Sequence, residues 1–161
     1  MQRADLPAIL AIQDECYPEE MCEDAAVVQQ RLAVAGEHAW VAKDDAGACA
    51  YLFGYLSQVG KVTRLGAGFE QSAQPDCLYL HDLAVSPRAK GLGLGPWLVV
   101  HALESARARK LGSSALVSVQ QSRVFWERLG YRVHDDLGEA ELRDLATYAS
   151  PAWYMVKPLA E

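Results

Sequence analysis

Apolar positions near the N-terminus fall at helical spacing. Leu6, Ile9, Leu10 and Ile12 share one side of a helix that Asp5 can cap, with Pro7 tolerated in its first turn and Pro18 ending it. A second helix is expected over 23–35, stopped by Gly36. The texture then changes to strands. HAWVAK (38–43) and ACAYLFGYLS (48–57) flank the turn DDAG and read as a hairpin. Residues 58–76 carry Gly, Ser, Gln and Pro with little pattern and read as a long loop, which in a compact domain is often functional. CLYLHDLAV (77–85) is the strongest strand. A helix is expected from Leu94 to about Lys110, with Leu98, His101, Ala102 and Ser105 near one face and basic residues in its last turn. SALVSV (114–119) follows as a buried strand, then a short helix in QSRVFWERLG (121–130) and the strands YRVHD and AWYMVKP. This order predicts an α/β fold with a mixed sheet. No repeat or linker divides the chain, so residues 1–161 are expected to form a single domain.

Composition narrows the classes. The chain carries a net charge of −6, against the basic face that general nucleic-acid binding needs. Its 4 cysteines form no C-x-x-C pair and have no histidine at finger spacing, so they are expected to be reduced thiols in a cytoplasmic protein, without a metal. His38, His101 and His134 lie at no metal-ligand spacing. The N-terminus does not read as a signal peptide, and no apolar stretch approaches a membrane span.

The segment KGLGLGPWL (90–98) places three glycines at alternate positions between a strand and a helix. Glycine costs about 0.5–1 kcal/mol against alanine in regular structure, so the run calls for a reason. A strand, a glycine turn and a helix start make a phosphate site, because free N–H groups and the helix dipole point at the ligand. The dinucleotide fingerprint fails, since positions 96 and 98 are Pro96 and Leu98, and no GKS or GKT exists for a P-loop.

LAVSPRAKGLGLGPWLV resembles the acyl-CoA-binding motif of the GNAT N-acyltransferase superfamily. Leu83, Ala84 and Val85 match the end of the motif strand. Lys90, Gly91, Leu92, Gly93, Leu94 and Gly95 match its loop, with Lys90 at the usual Arg or Gln position. A second family motif matches Trp126 to Tyr131. The resemblance implies a sheet of six or seven strands splayed near its middle, with helices on both faces and acetyl-CoA in the splay. The loop 90–95 would hold the pyrophosphate and residues 83–85 would pair with the pantetheine, while Ser122 and Trp126 would meet the cofactor arm. HDLAV is similar to the strand of the arylalkylamine (serotonin) N-acetyltransferase branch. A small primary amine, aromatic or alkyl, is the expected acceptor, with amino acids, aminoglycosides and protein N-termini left open. Many relatives of this fold are dimers, and a homodimer is an open alternative.

N-acyl transfer needs a neutral amine, whereas an alkylamine at pH 7 is almost all protonated. A base is therefore required. The resemblance points to His81, with Tyr79 two residues earlier, where that branch has another histidine, able to hold a water. Strand alternation places Tyr79, His81 and Leu83 on one face and Asp82 on the other. Asp82 is then expected to tie down a neighbouring element. The family's usual tyrosine acid corresponds to Trp126, leaving Tyr131 or Tyr154 as alternatives. Arg88, Lys90 and Arg123 are candidate partners for CoA phosphates. Tyr17, Trp40, Tyr51, Phe53, Tyr55 and Phe69 are expected to be mainly core, with some walling an acceptor pocket. The rival reading is an acyl-CoA-binding module without catalysis; a nucleotide-binding protein is a weaker one.

Overall fold

The computed structural model describes residues 1–159. Two helices, α1 (Leu6–Cys16) and α2 (Ala25–Ala35), precede the hairpin of β1 (Ala39–Asp44) and β2 (Gly47–Ser57). Then come β3 (Cys77–Val85), α3 (Leu94–Ala108), β4 (Ser113–Ser118), α4 (Arg123–Arg128), β5 (Arg132–Val133), α5 (Glu139–Leu145) and β6 (Trp153–Pro158). The sheet has 6 strands in the order β1-β2-β3-β4-β6-β5. Only β3 and β4 run parallel, joined through α3. No helix among the described residues is long and apolar enough to cross a membrane.

Each face of the sheet carries its own core. Leu52, Leu78, Leu80 and Leu116 pack beneath α3 with Leu98, Val99, Ala102 and Trp126. Ile9 and Ile12 of α1 and Val28 of α2 cover Tyr51, Phe53, Tyr55 and Tyr79 on the other face. The buried stripe of α3 runs through Leu98, Val99, Ala102, Leu103 and Ala106. His101 is exposed instead of sharing that face, which corrects the spacing read from sequence. Helix α2 starts at Ala25, after Glu23. The expected loop 58–76 contains no helix or strand. Helix α5 escaped the sequence reading because none of its residues is buried, so it has no apolar stripe to betray it.

Two irregularities position the site. Strands β3 and β4 pair only over Cys77–Leu80 and Ser113–Leu116; beyond that β4 stays with β6 while β3 stays with β2. The sheet therefore opens into a splay at His81. At the same point the β2 register jumps from Phe53 opposite Asp82 to Gly54 opposite Leu80, which makes His81 the extra residue of a β-bulge. Gly54 suits this spot: a Cβ there would lie 3.0 Å from the Tyr79 carbonyl oxygen.

Candidate active site

The bulge breaks the strict alternation of β3. Tyr79 and Ala84 belong to the core under α1 and α2, while Leu80 and Leu83 pack with the α3 core. Between them, His81 and Asp82 both turn toward the α1–α2 side. His81 meets Phe69 and Glu23, and Asp82 accepts hydrogen bonds from the Tyr17 hydroxyl at 2.7 Å and the Tyr51 hydroxyl at 2.6 Å. The expectation that Asp82 faces away from His81 is thus corrected, since alternation fails across an inserted residue. Asp82 does tie down a neighbouring helix end, through Tyr17.

The splay holds a cleft of about 160 Å³ lined by both of these residues, by Tyr17 and by the β4–α4 segment through Gln120, Ser122 and Trp126. A narrower cavity beside it is shared by Tyr17, Glu23, His81, Asp82 and Tyr148. Glu23 also lines an outer hollow of about 280 Å³ whose rim carries Glu20 and Asp24.

The His81 side chain is only 3% exposed. Its Nε2 lies 3.6 Å from a Glu23 carboxylate oxygen, and its Nδ1 has no partner among the described residues. Burial, followed by the Arg31 charge, holds the imidazole down at a pKa of about 3 and outweighs Asp82, which acts the other way. His81 is therefore neutral throughout the working pH range. Tyr79 stacks near it with ring centroids 6.3 Å apart, fully buried, with an unpartnered hydroxyl. It lines neither cavity next to His81.

Glu23 and Arg31 were not singled out from sequence. Arg31 is 1% exposed, grips the Glu23 carboxylate with two nitrogens and donates to the Ala67 carbonyl. The Gly66 amide bonds the same carboxylate at 2.9 Å, so the pair also fixes the 58–76 loop over His81. A signal was present: Arg31 falls on the Val28–Ala35 stripe of α2, where a charge has to be buried and paired. Tyr148, whose hydroxyl donates to the Thr63 carbonyl, was missed as well, because no pattern marks its segment.

The glycine loop fits an anionic ligand. Gly91 and Gly93 adopt left-handed φ values of 86° and 76°, and nothing lies within 4 Å of where their Cβ atoms would be. Among the described residues, no partner is recorded for the amides of Gly91, Gly93, Leu94 and Gly95, which open α3. Lys90, Gly91 and Leu92 are exposed, whereas Gly95 is buried against Phe125 and Val85. Further along β3, Ser86 N–H bonds the Cys49 carbonyl of β2. By antiparallel alternation, the amides of Leu83 and Val85 then point into the splay, and the Ala84 pair faces β2. The chain thus offers a free strand edge at Leu83 and Val85 and, after the turn that follows β3, a glycine loop with open amides at the start of α3.

Several candidates are occupied elsewhere. Arg88 is bound to the Asp44 carboxylate and the Ala48 carbonyl, and Arg123 to Glu127 with its guanidinium over Trp153. Lys90 remains the cation on the loop itself. The Tyr131 hydroxyl is paired with Ser114 at 2.7 Å, and the Tyr154 hydroxyl accepts from the Gly60 amide at 2.8 Å. Burial raises both phenols, and neither lines the splay cleft. Ser122 lies 3.0 Å from Ser118, hydroxyl to hydroxyl. Trp40 sits apart from the other N-terminal aromatics, edge-on to His38 and His101. Tyr51, Phe53 and Phe69 are core residues that wall none of the cavities beside His81. The described residues contain no cluster of metal-ligating side chains.

This splayed sheet with its glycine loop defines an acyltransferase fold. The family model of the acetyltransferase (GNAT) family matches residues 6–131, and the chain belongs to that family. It is 37% identical over 54 residues to the 5-NmdU N-acetyltransferase of Pseudomonas phage PaMx11, a stretch covering 34% of this chain and 39% of that protein. The chain spans about two-fifths of the length of the curated relatives it matches. Among solved structures, the GphF GNAT-like decarboxylase in complex with isobutyryl-CoA superimposes with a TM-score of 0.75 at 16% identity, over 99% of this chain and 97% of that one. Ard1 from Thermoplasma volcanium gives 0.74 at 14% identity, over 100% and 95%. These two likenesses establish the fold.

Proposed function

We propose that residues 1–161 act as one acetyl-CoA-dependent N-acetyltransferase domain for a small primary amine. The observation that carries this reading is His81, which lines the cleft opened where β3 and β4 part, with the glycine loop following on the same strand–turn–helix unit. Bound acetyl-CoA supplies the thioester. Leu83 and Val85 orient the pantetheine, while Ala84, expected to join them, faces β2 and packs in the α1–α2 core; Lys90 and the amides of Gly91, Gly93, Leu94 and Gly95 hold the pyrophosphate; Ser122 and Trp126 close the β4 side. The amine reaches the thioester from the Glu23 side. His81 accepts its proton. Tyr79, expected to hold a water, instead packs in the core beside the imidazole and supports its orientation.

The acidic outer hollow supports an acceptor that carries positive charge, and no aromatic wall beyond Tyr17 and Tyr148 supports an arylalkylamine in particular. The 4 free cysteines support a reducing, cytoplasmic setting. A homodimer is compatible with this reading.

The test is CoA release from acetyl-CoA across alkylamines, polyamines, arylalkylamines, amino acids, aminoglycosides and a peptide N-terminus, with the acetylated product identified by mass. Product from one amine class supports the reading and names the acceptor. A second reading, an acyl-CoA-binding module without catalysis, is favoured by Trp126 standing where the family's tyrosine acid is expected. Tight acetyl-CoA binding without product from any amine selects it.

A further inference from the structure

We propose that Tyr17 is the proton donor to the departing CoA thiolate, with Asp82 as the carboxylate that restores its proton; this rests on the acetyltransferase reading above. Among the residues lining the splay cleft, Tyr17 is the only phenol. It is carried there by the end of α1, outside the segment where the family pattern places its tyrosine, and Trp126 leaves that usual place without an acid. The Tyr17 hydroxyl lies 3.0 Å from the Leu83 carbonyl, on the β3 edge that faces the splay, and 2.7 Å from Asp82. The hydroxyl therefore stands beside the stretch of strand that would pair with the pantetheine.

The proton balance closes within the site. The amine nitrogen attacks the acetyl carbonyl carbon, the C–N bond forms, and the C–S bond breaks with its electron pair passing to sulfur. The N–H proton goes to His81, which lines the cleft. The imidazolium passes the proton on to Asp82, which lines the same cleft. Asp82 then gives a proton to the Tyr17 oxygen as Tyr17 gives its own to sulfur. Every group ends as it began, and the net change is one proton moved from nitrogen to sulfur. The order also suits Tyr17. Burial and the Asp82 charge hold its phenol well above the usual range at rest, and protonation of Asp82 removes that charge when the acid is needed.

Tyr51 supplies the control. Its hydroxyl bonds the other Asp82 oxygen, but it is fully buried and lines no part of the cleft. If the two phenols only hold Asp82 in place, Tyr17→Phe and Tyr51→Phe lower kcat alike. If Tyr17 is the acid, Tyr17→Phe lowers kcat by roughly 10²-fold or more and Tyr51→Phe by less than about tenfold. A second readout needs no turnover. Calorimetry compares CoA with desulfo-CoA in each protein, and Tyr17→Phe is expected to reduce the preference for CoA by about fivefold, the worth of one hydrogen bond to sulfur. Equal kcat losses in the two variants, or an unchanged CoA preference in Tyr17→Phe, overturn the assignment. Absence of acetylated product from the unsubstituted protein overturns the acetyltransferase reading itself, and the desulfo-CoA comparison then still reports whether Tyr17 meets the sulfur.

Discussion

His81 Nε2 lies 3.6 Å from the Glu23 carboxylate, and Arg31 grips that same carboxylate. A free carboxylate at that distance would raise an imidazole pKa. Here the guanidinium cancels it, and burial drives the imidazole to about 3. The base is thus kept uncharged, able to accept a proton but unable to keep one.

The pH profile follows from this. Because His81 titrates near 3 and not near 6.5, kcat/KM is expected to show no inflection between pH 5.5 and about 7.5 that belongs to the enzyme. The rate should rise with pH as the acceptor amine loses its proton. Initial rates with two amines of different pKa check this, since the profile should move with the amine. An inflection near 6.5 shared by both would show an exposed, ordinary imidazole acting as base.

Removing the imidazole tests its role directly. His81→Ala is expected to lower kcat by roughly 10²–10⁴-fold while acetyl-CoA affinity stays within about threefold. Steady-state kinetics beside calorimetry separate the two effects. An unchanged kcat would transfer the base role to another group.

The splay was expected from the family resemblance alone, and the bulge was not expected at all. The glycine loop declares itself because Gly91 and Gly93 occupy left-handed backbone that other residues adopt only with strain. Strand β3 declares itself through its apolar run. An inserted residue leaves no mark in such a run, so alternation assigned Asp82 to the wrong face. The Glu23–Arg31 pair was hidden for a related reason. Its partners come from a loop and a helix 8 positions apart, and only the fold buries them together over His81. Helix α5 and Tyr148 lie where polar residues follow no period.

Stability should depend on pH through the same histidine. The unfolded chain binds a proton at His81 near pH 6.5, whereas the folded chain refuses it down to about 3. The stabilisation is therefore fully present above pH 6.5 and lost as pH falls below it, by up to about 1.4 kcal/mol per pH unit for one proton. Buried His38, also lowered by burial, adds in the same direction. Thermal unfolding between pH 7 and 5 is expected to show a falling Tm, with a shallower slope in His81→Gln. Equal slopes in the two proteins would mean that His81 is solvated in solution.

The glycine loop offers a binding prediction. At Gly93, φ is 76°, so Gly93→Ala meets left-handed strain of roughly 1–2 kcal/mol and sends a methyl group into the space kept for the ligand. Acetyl-CoA affinity is expected to fall by at least tenfold, and kcat at saturating acetyl-CoA to change little. Calorimetry with acetyl-CoA and with dephospho-CoA is the check. Parallel losses for both place the effect at the pyrophosphate, which the two ligands share.

Arg31 gives the clearest separation of fold from chemistry. Arg31→Met keeps length and apolar packing but leaves the Glu23 carboxylate buried without its cation, and breaking such a pair typically costs about 3–5 kcal/mol. The double variant Glu23→Gln with Arg31→Met removes both charges, so most of that loss should return. The imidazole then loses the cation that depresses it, and its pKa should move up toward the ordinary range, limited by burial. Histidine NMR titration of the double variant reads the shift. A stable double variant with an unmoved His81 would assign the depressed value to burial alone and leave Arg31 as a clamp on the Ala67 carbonyl of the overlying loop.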